Sequence, residues 1–377
     1  MSAKSRILLF TALLLSAISA GAADQALLNR EMGVDASVPV AERPLFEDLV
    51  IAPIPISNPT IGTGLALVAM PFYHLGKGSP LSNTVLAAGL TSSGSWGVGA
   101  AQSTRLRGDD LRFDGTIAYA DLRYRFYGKG ADAGKAGVSV PIVQKGFVFA
   151  PEALVQMLPR TFLGVRYRGM RVETAVEGST GALPASIAEA LPGSVTIFSS
   201  GLGPKASFDT RDNDMNPSSG ILADFRANFA DESFGSDFDY QTFELSGNYY
   251  RRAWHGVLAL RAYACRASER TPLFDLCFYG AGSDLRGYEA GRYRDRAMLA
   301  TQAEYRFPLG GRWGGVVFGG WGKVGGSFAD MGKEPDLPSV GAGVRWLAAQ
   351  KARVNLSVDV ARGRDDTGIY VYVKESF

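Results

Sequence analysis

After its first 22 residues the chain has no run of about 18 apolar residues, so no helix in it is long and apolar enough to cross a bilayer. Its only histidines among 377 residues are His74 and His255, and neither stands near a serine or an acidic pair that would build a triad. Two cysteines, Cys265 and Cys277, with those distant histidines give no zinc spacing. There is no Gly-x-Ser-x-Gly elbow. The glycine-rich "GKGADAGKAG" lacks the Gly-Lys-Ser/Thr of a phosphate loop. Charge is thin as well: 20% of residues are charged, the net charge is +2, and no basic block stands out, which argues against a nucleic-acid partner. These absences point away from an enzyme and from a bound cofactor or metal.

Glycine (46 residues), aromatics (11%) and apolar residues (46% in all) are what the chain has instead. Lys4 and Arg6 precede an apolar stretch from Ile7 to Ile18, and Ala20-Gly21-Ala22 then offers small residues for cleavage. Residues 1–22 therefore read as a secretory signal peptide, 23–46 as a short periplasmic or plug segment, and 47–377 as one β-rich unit. An exported chain meets an oxidising compartment, so Cys265 and Cys277 could be joined; spacing alone leaves two free thiols open.

Within 47–377 short segments alternate at period two, the strand signal. Ile221, Ala223, Phe225, Ala227 and Phe229 share one face against Asp224, Arg226 and Asn228. Leu299, Thr301, Ala303, Tyr305 and Phe307 stand against Gln302, Glu304 and Arg306, and Val354 to Val360 alternates with Asn355, Ser357 and Asp359. A soluble sandwich alternates too, but this length would demand a second domain or long insertions, and no linker is seen. The pattern predicts an all-β transmembrane antiparallel barrel of about sixteen strands, apolar outside and polar within. One set of connections is short ("LGKGSP", "RGDD", "LPR", "LGG", "AAQK"), as periplasmic turns are. The other set is longer and glycine-rich. The lumenal Asp114, Glu304, Asp359, Arg166, Arg168 and Arg226 read as side chains that solvate the interior and pair across strands. The chain ends on Phe377 in register with Ile369, Val371 and Val373, so the last strand is expected to run to the terminus with Phe377 facing lipid as an assembly signal.

Two stretches are more specific: "FDTRDNDMNPSSGILADF" and "LRGY" followed by "MLATQAEYRFPL". With the last strand, they resemble the BamA/TamA-type outer-membrane family, also called the bacterial surface antigen family. The likeness covers most of the C-terminal half. It implies a periplasmic turn built on Asp209, Thr210, Arg211, Asp212, Pro217 and Gly220, in which Asp bonds backbone amides, Pro fixes φ and Gly permits positive φ. It also implies that the sixth outer loop folds into the lumen and docks by Leu285-Arg286-Gly287-Tyr288, with Arg286 on Glu304. Two departures stand out. Gly320 occupies the place of a second lumenal carboxylate, which implies a weaker lock or one wedged against Trp321. About two dozen residues separate the leader from the first strand, so the expectation is a short member without POTRA domains.

The resemblance implies a factor of the bacterial outer membrane that inserts or exports polypeptide, or moves lipid, through a weak seam between first and last strands. Pro53 and Pro55, two apart, would remove two amide donors from one strand edge. The alternative is a passive channel or a structural barrel, self-associating through its lipid-facing wall. Outer-membrane lipids, the assembly machinery and a second copy are the expected partners.

Overall fold

The computed structural model describes residues 46–377, apart from 59, 77, 178–193 and 281–283. The leader, and the segment that follows it up to residue 45, lie outside the described residues. The first eleven strands are β1 (Asp48–Asn58), β2 (Gly62–Tyr73), β3 (Ser82–Thr91), β4 (Trp96–Leu106), β5 (Leu111–Phe126), β6 (Val140–Leu158), β7 (Thr161–Val176), β8 (Val195–Asp209), β9 (Gly220–Ala230), β10 (Tyr240–Ala253) and β11 (Gly256–Ala267). A long loop, 268–296, carries the two-residue strands β12 (Cys277–Phe278) and β13 (Arg294–Asp295), which pair with each other. The wall resumes with β14 (Ala297–Gly310), β15 (Trp313–Gly325), β16 (Leu337–Ala349), β17 (Val354–Arg362) and β18 (Thr367–Val373). One helix, α1 (Ala131–Ala136), sits between β5 and β6.

Sixteen strands form one antiparallel meander in chain order, with β11 paired directly to β14 across the base of the long loop. The side chains are distributed in reverse of a soluble protein. Leu67, Val165, Phe225, Val317, Val344 and Val360 are exposed on the outer face, while Arg112, Arg168, Glu304, Arg345 and Asp359 are buried inside. A soluble fold would not expose such a belt, so the outer face requires a hydrocarbon solvent. The observed strands follow the alternation of the sequence, because period two assigns each residue to lipid or lumen.

The last strand departs from that expectation. β18 ends at Val373, and Lys374 takes φ 82, which breaks the alternation. Residues 374–377 turn into the lumen, where Phe377 lies 5.3 Å from the Arg306 guanidinium and 6.0 Å from that of Arg261. Phe377 is therefore not on the lipid-facing register.

Cys265, near the end of β11, is bonded to Cys277 at the start of β12. The bridge pins the base of the long loop to the wall and sits in an apolar cluster with Tyr279, Leu285, Tyr288 and Tyr293. Replacing both cysteines with serine should leave a folded, heat-modifiable barrel but lower its unfolding temperature, since losing such a bridge typically costs about 2–4 kcal/mol. Limited proteolysis should also cut within 268–296 sooner. Unchanged melting and cleavage would mean that the bridge does not hold the loop.

Candidate functional site

The long loop places its tip, Leu285 to Tyr288, in the barrel interior. Two backbone features allow it: Leu285 has φ 51 and Gly287 has φ 105. A Cβ on Gly287 would collide with the backbone of Arg362 and Gly363, so only glycine fits this approach. The Gly287 amide donates to the Tyr370 hydroxyl at 2.7 Å, and the Gly363 amide donates to the Gly287 carbonyl at 3.1 Å. The Tyr288 hydroxyl donates to the Pro338 carbonyl at 2.6 Å.

Arg286 is at the centre. Its guanidinium forks between Glu304 of β14 and Asp359 of β17, donates to the Tyr372 hydroxyl at 3.1 Å, and stacks 3.5 Å from the Phe318 ring centroid. The pairing continues around the wall. Arg306 holds the other oxygen of Glu304 at 2.8 Å and Glu375 at 3.5 Å; Arg345 holds Glu375 at 2.8 Å and Asp359 at 2.5 Å. Three arginines and three carboxylates thus close a neutral ring, all buried. Asn355 donates to the remaining Glu375 oxygen at 2.7 Å.

The loop lock is not held by a single carboxylate, and it is not wedged against Trp321. Alternation along β15 turns Trp321 outward, where its indole donates to Asp336 at 2.8 Å. The second carboxylate is Asp359, two strands beyond the position where the family pattern puts it. Gly320 has a use of its own, because a Cβ there would stand 2.7 Å from Leu285 Cδ2 and 2.8 Å from the Thr301 carbonyl oxygen. The missing carboxylate makes room for the loop's leucine. Arg306, Arg345, Glu375 and Phe318 were not singled out from sequence; lumenal parity placed Arg306 inside, but nothing in the pattern marks a partner several strands away.

Nearer the outer surface the loop is tied to both sides of the barrel's free edges. Arg292 pairs with Asp366 at 2.8 Å, beyond the end of β17, and on the β1 side the Ala290 amide donates to Thr60 Oγ1 at 2.6 Å. Glu289 is buried against Arg125 at 3.3 Å and accepts from the Tyr127 hydroxyl at 2.6 Å. Burial and the Glu289 carboxylate push that hydroxyl up to about 12, so it remains a donor. The turn between β8 and β9 is equally ordered. Arg211 grips Asp209 at 2.9 Å; Asp212 accepts from the Ser218 and Ser219 amides at 2.7 and 3.1 Å; Thr210 bonds Ile221; Pro217 is buried; and Gly220 has φ 108 against the Thr210 carbonyl. Burial alone would raise the Asp212 carboxyl, but bonds from the Ser218 hydroxyl and amide outweigh it and hold the group well below the usual carboxylate range.

The seam has its own geometry. Among the described residues no backbone ladder joins β1 to β18. The Ser92 amide donates to the Thr63 carbonyl, so odd residues of β2 turn their backbone toward β3 and even ones toward β1. The even residues of β2 pair with even residues of β1, such as Ala66 with Ile54. Pro53 and Pro55 therefore face the free edge, which lacks two donors. In its inner half the seam is lapped. Val50, Ala52 and Ile54, on the inner face of β1, share one apolar cluster with Val354, Val371 and Val373 on the outer face of β17 and β18. At the inner end the Ala352 amide donates to Asp48 at 2.9 Å.

A polar cavity of about 340 Å³ remains in the lumen beside the tail, lined by Arg226, Glu244, Arg261, Tyr263, Asp284 and Phe377 among others. A second, of about 260 Å³, shares Glu244, Tyr263 and Asp284 with it. No group of His, Cys, Asp and Glu among the described residues has the arrangement of a metal site.

The model of the Omp85 superfamily domain matches residues 160–370. No curated protein matches the sequence. Among solved structures, BamA from Haemophilus ducreyi lacking POTRA domains 1–3 aligns with TM-score 0.55 and 13% identity, over 87% of this chain and 74% of that one. CdiB from Escherichia coli aligns with TM-score 0.60 and 13% identity, over 89% of this chain and 64% of that one. CdiB from Acinetobacter baumannii aligns with TM-score 0.52 and 11% identity, over 87% of this chain and 59% of that one. The chain thus spans less than two thirds of either CdiB, and at these identities the likeness is one of fold.

Arg286→Ala would leave the ring one cation short in a buried site, a loss of about 3–5 kcal/mol. Arg292→Ala removes a largely buried guanidinium outside the ring, which pairs with Asp366 and Asp365 and donates to the Gly134 carbonyl. The first should lower the temperature of the heat-modifiable transition and expose 268–296 to protease; the second should do so less, because both carboxylates it frees lie nearer water than Glu304 and Asp359. Equal, negligible effects would mean that the tip is not locked. Gly320→Asp, which restores the family's carboxylate, should destabilise the barrel by the same readout because it displaces Leu285; a higher transition temperature would show that Leu285 gives way easily.

Proposed function

The chain belongs to the Omp85 superfamily of bacterial outer-membrane barrels, and from that premise we propose that it inserts or exports polypeptide, or moves lipid, by opening the seam between β1 and β18. The observation that carries the reading is the unpaired junction: among the described residues no ladder joins the two edge strands, and Pro53 and Pro55 remove donors from the edge of β1. Unpaired strand edges are normally protected because they template pairing with other chains. Here the edges are held by a lapped apolar contact and a few bonds at either end, which can part without dismantling the rest of the wall. No client is implied by any one side chain, and the assembly machinery and outer-membrane lipid are the partners that suit such a seam.

A second reading, a narrow channel, is supported by the polar cavities that run past Glu244, Tyr263 and Asp284. The docked loop fills much of the lumen, so this reading expects small, flickering conductance in planar bilayers rather than a steady open pore.

Cysteine pairs placed between 50–54 and 369–373 test the gate, with the native bridge replaced by serine. Oxidation should lock the seam and abolish barrel insertion or lipid scrambling by the protein in liposomes, and reduction should restore it. Full activity in the locked state would exclude the seam as the route.

A further inference from the structure

Three inner turns that are neighbours in the sheet, taken with the strand ends that flank them, contain no acidic residue: 250–257 at β10 and β11, 308–314 at β14 and β15, and 346–353 at β16 and β17. They carry Arg251, Arg252, His255, Arg312, Lys351 and Arg353. Three of these cations already have partners: Arg252 on Ser218, Lys351 on Glu47 and Arg353 on Asp212. Arg251 and Arg312 are exposed, and among the described residues neither has a carboxylate partner.

The same turns and strand ends hold three of the chain's five tryptophans. Trp313 and Trp346 face each other across the outer surface of β15 and β16, with the Arg312 guanidinium 6.0 Å from the Trp346 ring. Trp254 is 87% exposed at the tip of its turn and meets the Tyr305 ring edge to face at 5.6 Å between ring centroids. Its φ is 50. Such a two-residue hairpin turn favours Asn or Gly, so a tryptophan contributes nothing to the turn itself. A large apolar ring left in water is unfavourable, whereas at a membrane boundary it finds both an apolar and a wet side. The outer ends of these strands carry mixed charge instead, with Asp237, Asp239, Glu269, Asp330, Asp336 and Asp365 exposed there beside Arg270, Lys333 and Arg364.

We propose that this arc binds anionic glycerophospholipid in the inner leaflet. Arg251 and Arg312 hold phosphate oxygens through their planar donor forks. Trp254, Trp313 and Trp346 sit at the level of the glycerol backbone. The arc ends at the β16–β17 turn, which also holds Asp48 at the inner end of the seam, so bound anionic lipid gathers beside that end. The proposal needs the barrel and its orientation, and it stands whether or not the seam opens.

Tryptophan quenching tests it. The chain is reconstituted in nanodiscs of phosphatidylcholine that contain brominated phosphatidylglycerol or, at the same fraction, brominated phosphatidylcholine. Trp96 and Trp321, toward the opposite ends of their strands, set the background. The phosphatidylglycerol should quench more strongly, by a relative association constant of up to about five-fold per arginine at low salt. The preference should fall toward parity in high salt and in Arg251→Gln/Arg312→Gln, a change in exposed turns that keeps the folded, heat-modifiable band. Arg160→Gln, in an inner turn outside the arc, should keep the preference. Equal quenching by both lipids, a preference that survives the double change, or an equal loss with Arg160→Gln would each overturn the proposal.

Discussion

The closed ring of Arg286, Glu304, Arg306, Glu375, Arg345 and Asp359 is the interaction on which the rest depends. Each member sits in the lumen wall or on a segment that enters the lumen, and each carboxylate is shared by two arginines. Buried charges are costly unless paired and hydrogen-bonded, and a ring pairs all six at once with no net charge left over, leaving only Arg286 Nε and Arg306 Nη1 without a hydrogen bond among the ring's described atoms. Its members come from the long loop, from β14, β16 and β17, and from the C-terminal tail. Loop tip and tail are therefore fastened to the same stretch of wall through one ring. Apolar contacts support the site: Leu285 over Gly320, and the Arg286 guanidinium over Phe318.

Fifteen junctions of the wall are sealed by backbone ladders, and the sixteenth is held by side chains and a few end contacts. A ladder is cooperative and hard to open, whereas a lapped apolar contact slides. Pro53 and Pro55 fix this difference covalently, because no rearrangement of β1 can restore their donors. The long loop reaches across from above, with Arg292 on one flank and the Ala290–Thr60 bond on the other. What holds the seam at its outer end is thus the same loop whose tip the ring anchors.

The wall was legible in the sequence because a lipid-facing residue cannot exchange places with a lumenal one; Phe225 beside Arg226, or Tyr305 beside Glu304, leaves one choice of face. That Pro53 and Pro55 share one strand edge was legible as well, but that this edge is the free one followed from the hydrogen bonding of β2. The site was legible only where a local motif carried it, as in Leu285 to Tyr288 and the Asp209 to Gly220 turn. Asp359 could be placed in the lumen but not beside Arg286, because that meeting depends on how far the loop reaches, and alternation is silent about reach. Phe377 misled for the opposite reason. Its parity with Ile369 is real along an extended strand, but one residue with positive φ, Lys374, cancels it.

The tail's inward turn follows from the charge at residue 375. If β18 continued straight, Glu375 would share the outward face of Ile369, Val371 and Val373, and the gain from seating Phe377 in lipid would come with a carboxylate beside it. Within the lumen that carboxylate meets Arg345, Arg306 and Asn355, and leaving the two arginines without it would cost about 3–5 kcal/mol. An aromatic side chain at the interface gains about 1.5–3 kcal/mol when fully buried, and part of that is recovered where Phe377 lies near Arg306 and Arg261. The ring therefore prevails and draws the last four residues out of the wall. With the tail drawn inward, β18 ends at Val373, and the inner half of β1 laps over Val371 and Val373 while Asp48 reaches the β16–β17 turn. The ring that locks the loop thus also sets where the last strand ends beside the seam.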